Sequence, residues 1–191
     1  MTLYQADILR LDPRDIAKNM GGEFRVVGNI PYYITSPILF WAIDAADVIC
    51  DCTFMMQHEV ARRLAATPRS KEYGILSVFA QYYSTPELKF TVSPGSFYPV
   101  PEVTSAVVSL NFRKPFPQKA MDDATFRAIV RGTFGTRRKM LRNGLRGLDI
   151  PADFFRQSKT NFERRPEELS VEDFVLLSNE ITTTTGKRFS L

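Results

Sequence analysis

The chain holds one histidine, one tryptophan and two cysteines among its 191 residues. A single histidine leaves His58 without a second imidazole for a metal site. No serine or cysteine stands in pattern with it for nucleophilic catalysis, so it reads as structural or surface. Cys50 and Cys52 lie two apart in an apolar run. On a strand they face one side, where close neighbours seldom form a disulfide, and no further cysteine completes a zinc site. They read as reduced core thiols of a cytoplasmic protein. P-loop, EF-hand and His-Glu-x-x-His patterns are absent, and no metal is expected. No apolar run approaches the roughly 20 residues of a membrane span, no signal peptide opens the chain, and no internal repeat is present. The tract Thr182–Thr185 with Gly186-Lys187-Arg188 reads as a frayed tail. Acids are missing from Ala124 to Leu148, a stretch that carries seven arginines and lysines including Arg127 and Arg131.

With 44% hydrophobic residues the chain can bury a core, and disorder throughout is excluded. The net charge of +4 decides little by itself; its placement matters more. Met1 to Ala6 reads as a strand ending at a carboxylate, Asp7. Asp12-Pro13 then caps a helix that Gly21-Gly22 ends. Phe24 to Val27 reads as a buried strand, followed by Gly28-Asn29-Ile30-Pro31-Tyr32-Tyr33. Ser36-Pro37 repeats the cap-then-proline signal for a helix through about Ala46. Ile49–Met56 is a third strand, and Gln57–Ala66 and Ile75–Tyr83 are helices. This alternation predicts a parallel, doubly wound α/β sheet. Leu88–Val92 and Val103–Phe112 are strands with only a proline-rich loop between them, which predicts an antiparallel pair closing the sheet.

Residues 1–113 form the expected first domain and residues 114–191 a second, all-α one, with Lys114–Lys119 as linker. The second holds a helix capped by Asp122–Asp123 and one from about Thr136 to Leu148 with Leu141, Leu145 and Leu148 as an apolar stripe. Others start near Pro151 and Ser170. On the Thr136–Leu148 helix, Arg138, Arg142 and Arg146 fall four apart. With Arg137 and Lys139 they offer charge to phosphates, so this face is the expected RNA- or DNA-binding surface.

In an open α/β sheet ligands sit at the carboxyl ends of strands, which makes Asn29-Ile30-Pro31-Tyr32 the expected reaction centre. The amino nitrogen of adenine is a poor nucleophile because its lone pair is delocalised. Two acceptors, one on each N–H, free that pair. An asparagine oxygen and a backbone carbonyl supply them, and Pro31 aims the Ile30 carbonyl. The Tyr32 ring can stack on an extruded base. Phe97, in the loop stiffened by Pro94, Pro99 and Pro101, is a candidate second wall. A strand-to-turn junction and a core aromatic are the ordinary alternatives.

The chain resembles the small-subunit rRNA adenine N6,N6-dimethyltransferases, the kasugamycin-sensitivity enzymes. The resemblance rests on Gln5-Ala6-Asp7-Ile8, Val27-Gly28-Asn29-Ile30-Pro31-Tyr32, Phe54-Met55-Met56-Gln57 with Glu59-Val60, and Tyr73-Gly74-Ile75-Leu76-Ser77-Val78. It continues in Ser96-Phe97-Tyr98-Pro99-Val100-Pro101, Ser105-Ala106-Val107-Val108, and Phe134 with Arg137-Arg138-Lys139 and Arg142-Asn143. Glu102, Thr104 and His58 depart from it, standing where the family often has a lysine, an aspartate and a basic residue. The resemblance implies a Rossmann-like methyltransferase sheet dependent on S-adenosylmethionine (SAM), with a small all-α C-terminal domain. Asp7 and Ile8 would then meet the cofactor, Asp7 at its adenine. Asn29 would lie beside both the cofactor methyl and the target amine, with the Ile30 carbonyl as second acceptor and Tyr32 and Phe97 about the base. The partner would be rRNA of the immature small ribosomal subunit, met by a monomer. The family's glycine-rich cofactor loop and ribose-binding acid belong before Asp7 and do not occur there. This predicts weak cofactor binding by these residues alone and an open sheet edge. A non-catalytic assembly factor, and an N6 methyltransferase of large-subunit rRNA or DNA, are the rival readings.

Overall fold

The computed structural model describes residues 3, 5–186 and 189. They form two compact units: Met1–Ala65 with Phe79–Phe116, and Ala66–Val78 with Pro117–Leu191. The boundary thus differs from the expected cut after residue 113. Phe116 stays with the first unit because its N–H donates to the Tyr82 carbonyl (3.0 Å). Ala66–Val78 belongs to the second, where the Tyr73 phenol donates to the Leu169 carbonyl (2.7 Å).

The first unit is a four-stranded sheet in the order β1-β2-β4-β3, with β1 Phe24–Asn29, β2 Ile49–Gln57, β3 Thr85–Val92 and β4 Ser105–Asn111. β1 and β2 are parallel; β4 runs antiparallel to both β2 and β3. The period of two places Cys52, Phe54 and Met56 of β2 opposite Leu110, Val108 and Ala106 of β4, and all six are buried. This is the core face. α2 (Thr35–Asp44) and α3 (His58–Leu64) pack on β2, and α2 contributes Leu39, Ala42 and Ile43 to the core. α1 (Pro13–Met20) starts as expected, with Asp12 accepting from the Arg14 N–H and Pro13 in the first turn, and ends at a left-handed Gly21. Arg14 ties it down by a two-pronged pair with Asp47 (2.9 and 3.1 Å) and a bond to the Asp44 carbonyl.

Four expectations for this unit are corrected. Met1, Thr2 and Tyr4 lie outside the described residues; Leu3, Gln5 and Ala6 form no strand, and instead Asp7 caps a 3-10 turn, Ile8–Arg10. β1 is an end strand among the described residues. Only Phe24 of it is buried, and Val27 is 80% exposed, because no described strand flanks its other side. Of the two thiols only Cys52 is core. The β1–β2 register slips after Phe24, and half-buried Cys50 donates its S–H to Glu23, which pairs with Arg113. α2 also begins two residues early, at Thr35 after Ile34 rather than at Pro37 after a Ser36 cap. A 3-10 turn, Tyr32–Ile34, runs directly into it, and Thr35 Oγ1 donates back to the Tyr32 carbonyl (3.1 Å).

The chain enters the second unit at Ala66 and leaves it along α4 (Ile75–Tyr83). After Pro117 come α5 (Asp123–Phe134), α6 (Leu141–Leu145), α7 (Phe154–Gln157) and α8 (Val171–Thr185). Phe126, Ile129 and Val130 of α5, Leu141 and Leu145 of α6, and Phe174, Leu177 and Ile181 of α8 make one core. Ser170 and Asp173 form a reciprocal cap on α8. That helix continues through the threonine tract expected to fray. Thr182 and Thr185 return their hydroxyls to the carbonyls of Ser178 and Ile181, and a left-handed Gly186 closes the helix; Lys187 and Arg188 lie outside the described residues.

Candidate active site

Asn29 ends β1, and the Ile30 N–H still follows the ladder, donating to the Met55 carbonyl at 3.0 Å. Pro31, with no N–H, ends the pairing and hands the chain to the 3-10 turn. Ile30 is buried and anchors the loop from below. The Asn29 amide is exposed and makes no hydrogen bond with any described residue; the Ile30 carbonyl accepts no backbone bond among them. Both acceptors are therefore available to a ligand. The Tyr32 phenol lies 2.7 Å from the hydroxyl of Ser105, which is buried at the start of β4, so the ring is held in place.

Asn29, Ile30, Pro31 and Tyr32 line one cavity of about 300 Å³ together with Phe97, Tyr98, Pro99 and Pro101. This is at the small end of ligand sites, which run from roughly 300 to 1,000 Å³, and suits one planar base. A short 3-10 turn, Pro94–Ser96, fixes the far wall: the Phe97 N–H donates to the Pro94 carbonyl at 3.2 Å. All five residues expected at the target base thus meet in one place. Sequence reasoning missed two participants. Ser105 read only as a residue within the Val103–Phe112 strand, and Tyr98 only as one of the proline-rich loop.

Asp7 and Ile8 do not line this cavity. Asp7 Oδ1 accepts from the Leu9 N–H at 3.0 Å, and Oδ2 lies 3.8 Å from Arg10 Nε. The carboxylate is exposed and keeps unused acceptor capacity. An exposed carboxylate that caps a 3-10 turn can accept from a ligand amine, and an unpartnered side-chain amide stands at a strand end; both are of the chemistry an adenosyl cofactor requires. Among the described residues no three His, Cys, Asp or Glu side chains cluster as metal ligands.

The basic segment of the second unit departs from its expected geometry. There is no single helix from Thr136 to Leu148. Residues 136–139 are turns, Met140 is extended, and only Leu141–Leu145 is α-helical, followed by a 3-10 turn. The break is held by bonds across the unit: the Leu141 N–H donates to the Arg164 carbonyl at 2.9 Å. Arg138 therefore does not share a helix with Arg142 and Arg146. Arg137 is a structural residue. Its guanidinium pairs with Glu167 at 2.8 Å and donates to the carbonyls of Ser70 and Lys71 at 3.2 and 2.9 Å. Around that pair lies a depression of about 890 Å³ whose lining includes Arg69, Lys71, Arg138, Lys139 and Arg165. Arg138 and Lys139 are exposed with no ion-pair partner among the described residues. Arg69, Lys71 and Arg165 escaped the sequence reading because they come from distant segments. Arg142 is exposed, 6.0 Å over the Phe155 ring, and Arg146 is exposed as well.

Comparison with known proteins agrees with this geometry. A sequence model of the family described as ribosomal RNA adenine dimethylase matches residues 1–183. The chain is 44% identical over 179 residues to ribosomal RNA small subunit methyltransferase A of Xanthomonas oryzae pv. oryzae, covering 94% of this chain and 67% of that protein. It is 40% identical over 188 residues to the protein of the same name from Pseudomonas aeruginosa, covering 98% of this chain and 69% of that one. In fold it is similar to a dimethyladenosine transferase from Plasmodium falciparum, with a TM-score of 0.72 at 22% identity over 98% of this chain and 74% of the other. The 23S rRNA methyltransferase ErmE gives a TM-score of 0.63 at 24% identity, covering 93% and 70%. No helix of the described residues is long and apolar enough to cross a membrane. An α/β sheet whose strand-end loop carries two unpartnered acceptors over a base-sized cavity, and a sequence match along nearly its whole length, place this chain in the ribosomal RNA adenine dimethylase family.

Proposed function

We propose that the chain serves the SAM-dependent dimethylation of adenine N6 in small-subunit rRNA, in the cytoplasm and on the immature subunit. The observation that carries the reading is the cavity in which the free Asn29 amide and Ile30 carbonyl stand beside Tyr32 and Phe97. In this reading Tyr32 and Phe97 wall the extruded adenine. Asn29 Oδ1 accepts one N–H of its amine and the Ile30 carbonyl the other, which draws the nitrogen toward a pyramidal shape and frees its lone pair. Bound SAM supplies an electrophilic methyl on a sulfonium. Asp7 and Ile8 are assigned to its adenine end and Asn29 to its methyl end. Each transfer would form one N–C bond at N6 as the sulfonium S–CH3 bond breaks, its electron pair staying on sulfur as the departing thioether, and would release one amine proton to solvent. Positioning and polarisation dominate, and neither a metal nor a strong general base has a role. Arg138 and Lys139, with Arg142 and Arg146, meet phosphates of the rRNA, and Arg137 holds the segment that carries the first two.

The test is Asn29→Ala. Dimethyladenosine formation on immature small subunits, read by mass spectrometry of digested rRNA, is expected to fall at least 100-fold with RNA affinity unchanged, the size of loss seen when one preorganised polar contact to a reacting group is removed. Near wild-type formation would sink the assigned mechanism. A second role in subunit assembly draws on the unpaired cations of the second unit. Subunit binding that is indifferent to cofactor and survives Asn29→Ala supports it.

A further inference from the structure

The side chain of Tyr98 is 100% exposed, yet it lines the same cavity as Asn29 and Tyr32. A tyrosine in that state covers no protein surface, so burial does not explain it. Its ring and phenol have no partner among the described residues. The backbone beneath it is nevertheless firmly held. The Ser96 and Phe97 N–H groups close a 3-10 turn onto Ser93 and Pro94 (3.1 and 3.2 Å), and Ser93 and Ser96 approach through their hydroxyls (3.4 Å). Pro99 and Pro101 fix φ on the other side of Tyr98. An aromatic ring is thus presented to solvent by a stiff support at the rim of a base-sized cavity.

The cavity has room for one base, and its inner walls already include Tyr32 and half-buried Phe97. Extruding an adenine unstacks the nucleotides beside it. Resting on the adenine-binding reading above, the geometry points to Tyr98 as the platform on which the nucleotide next to the target adenine stacks. It is a positioning residue that selects an adenine flanked by an unpaired base. Stacking on an aromatic face tolerates any base, so the preference is for an unstacked neighbour rather than a given sequence.

The test is a binding cycle on the whole chain. The probes are fluorescein-labelled oligoribonucleotides with one central unpaired adenine, either intact or abasic at the 5′ or the 3′ neighbour, and Kd is read by anisotropy. Tyr98→Ala is expected to weaken binding of intact RNA about 10-fold, the size of one stacked base, while Tyr98→Phe stays within about 2-fold. On the RNA abasic at the stacked neighbour, wild type and Tyr98→Ala are expected to bind alike, because the partner is already gone. Equal Kd values for wild type and Tyr98→Ala on intact RNA would overturn the assignment. So would a Tyr98→Ala loss that persists on both abasic RNAs, or no RNA binding by the wild type. Methyl transfer from labelled SAM to small subunits is scored separately. A wild type that shows the binding cycle and binds SAM yet transfers no methyl overturns the adenine-methylation reading and leaves the stacking assignment standing.

Discussion

Ser105 and Tyr32 are 73 residues apart in sequence, and their hydroxyls meet at 2.7 Å. That contact depends on β4 lying beside β2, and a linear reading has no access to it. Arg137 is the sharper case. In sequence it is one of seven basic residues in an acid-free stretch, indistinguishable from Arg138. In the fold its charge is met by Glu167, 30 residues on, and its remaining donors by two carbonyls. The two arginines should therefore separate experimentally. Arg137→Ala is expected to cost about 2–3 kcal/mol in urea unfolding, since it removes charge-assisted bonds and leaves the Glu167 carboxylate and two carbonyls without them. Arg138→Ala should stay within about 0.5 kcal/mol of wild type. Its effect should appear instead in RNA binding, lowering the slope of log K against log salt by about 0.7, one phosphate on a single strand. Equal stability of the two variants would contradict the structural role of Arg137.

Among the elements, most of what was legible came from caps and period. Asp12-Pro13, Asp122 and Ser170 begin helices as their hydroxyl or carboxylate chemistry dictates, because capping is a local interaction between residues a few positions apart. The Asn29–Tyr32 loop was legible for a similar reason: a β-branched run stopped by proline fixes a strand end. The Thr136–Leu148 segment was misread because its leucine stripe is real while its backbone is set by tertiary contacts. Leu141 and Leu145 are both buried, but Met140 is extended and the turn before it is tied elsewhere. What fixes α6 is its close approach to α5. A Cβ on Gly144 would lie 2.5 Å from Thr133 Cα and 3.0 Å from the Gly132 carbonyl oxygen, both backbone atoms unable to rotate away. Gly144→Ala is expected to cost about 1–3 kcal/mol by forcing the two helices apart. Gly147→Ala meets nothing within 4 Å and is expected to be neutral or slightly stabilising. Chemical denaturation of the two variants side by side makes the comparison, and a Gly144→Ala midpoint matching wild type would show that the contact is relaxed in solution.

At the scale of the whole molecule, each unit buries a group that keeps its proton, Cys52 in the first and Tyr73 in the second, and this sets an alkaline limit to stability. In the first unit, burial, reinforced by the neighbouring Asp51 charge, pushes the Cys52 thiol well above its ordinary 9.0. In the second, burial and then Asp173 push the Tyr73 phenol well above its ordinary 10.0, while that phenol donates to the Leu169 carbonyl. Both folded values lie above the unfolded ones, so above those ordinary values the unfolded chain holds fewer protons than the folded one. Stability is fully present below about pH 9 and falls as pH rises toward the folded values. Each group contributes a slope of up to about 1.4 kcal/mol per pH unit. Tyr73→Phe separates the two. At pH 8 it should be less stable than wild type by about 1–2 kcal/mol, because the Leu169 carbonyl loses its donor. Between pH 10 and 11.5 the gap should close, because the phenylalanine has no proton to lose. Urea midpoints measured across that range decide it. A gap that stays constant with pH would mean that the Tyr73 phenol titrates as freely in the folded protein as in the unfolded chain.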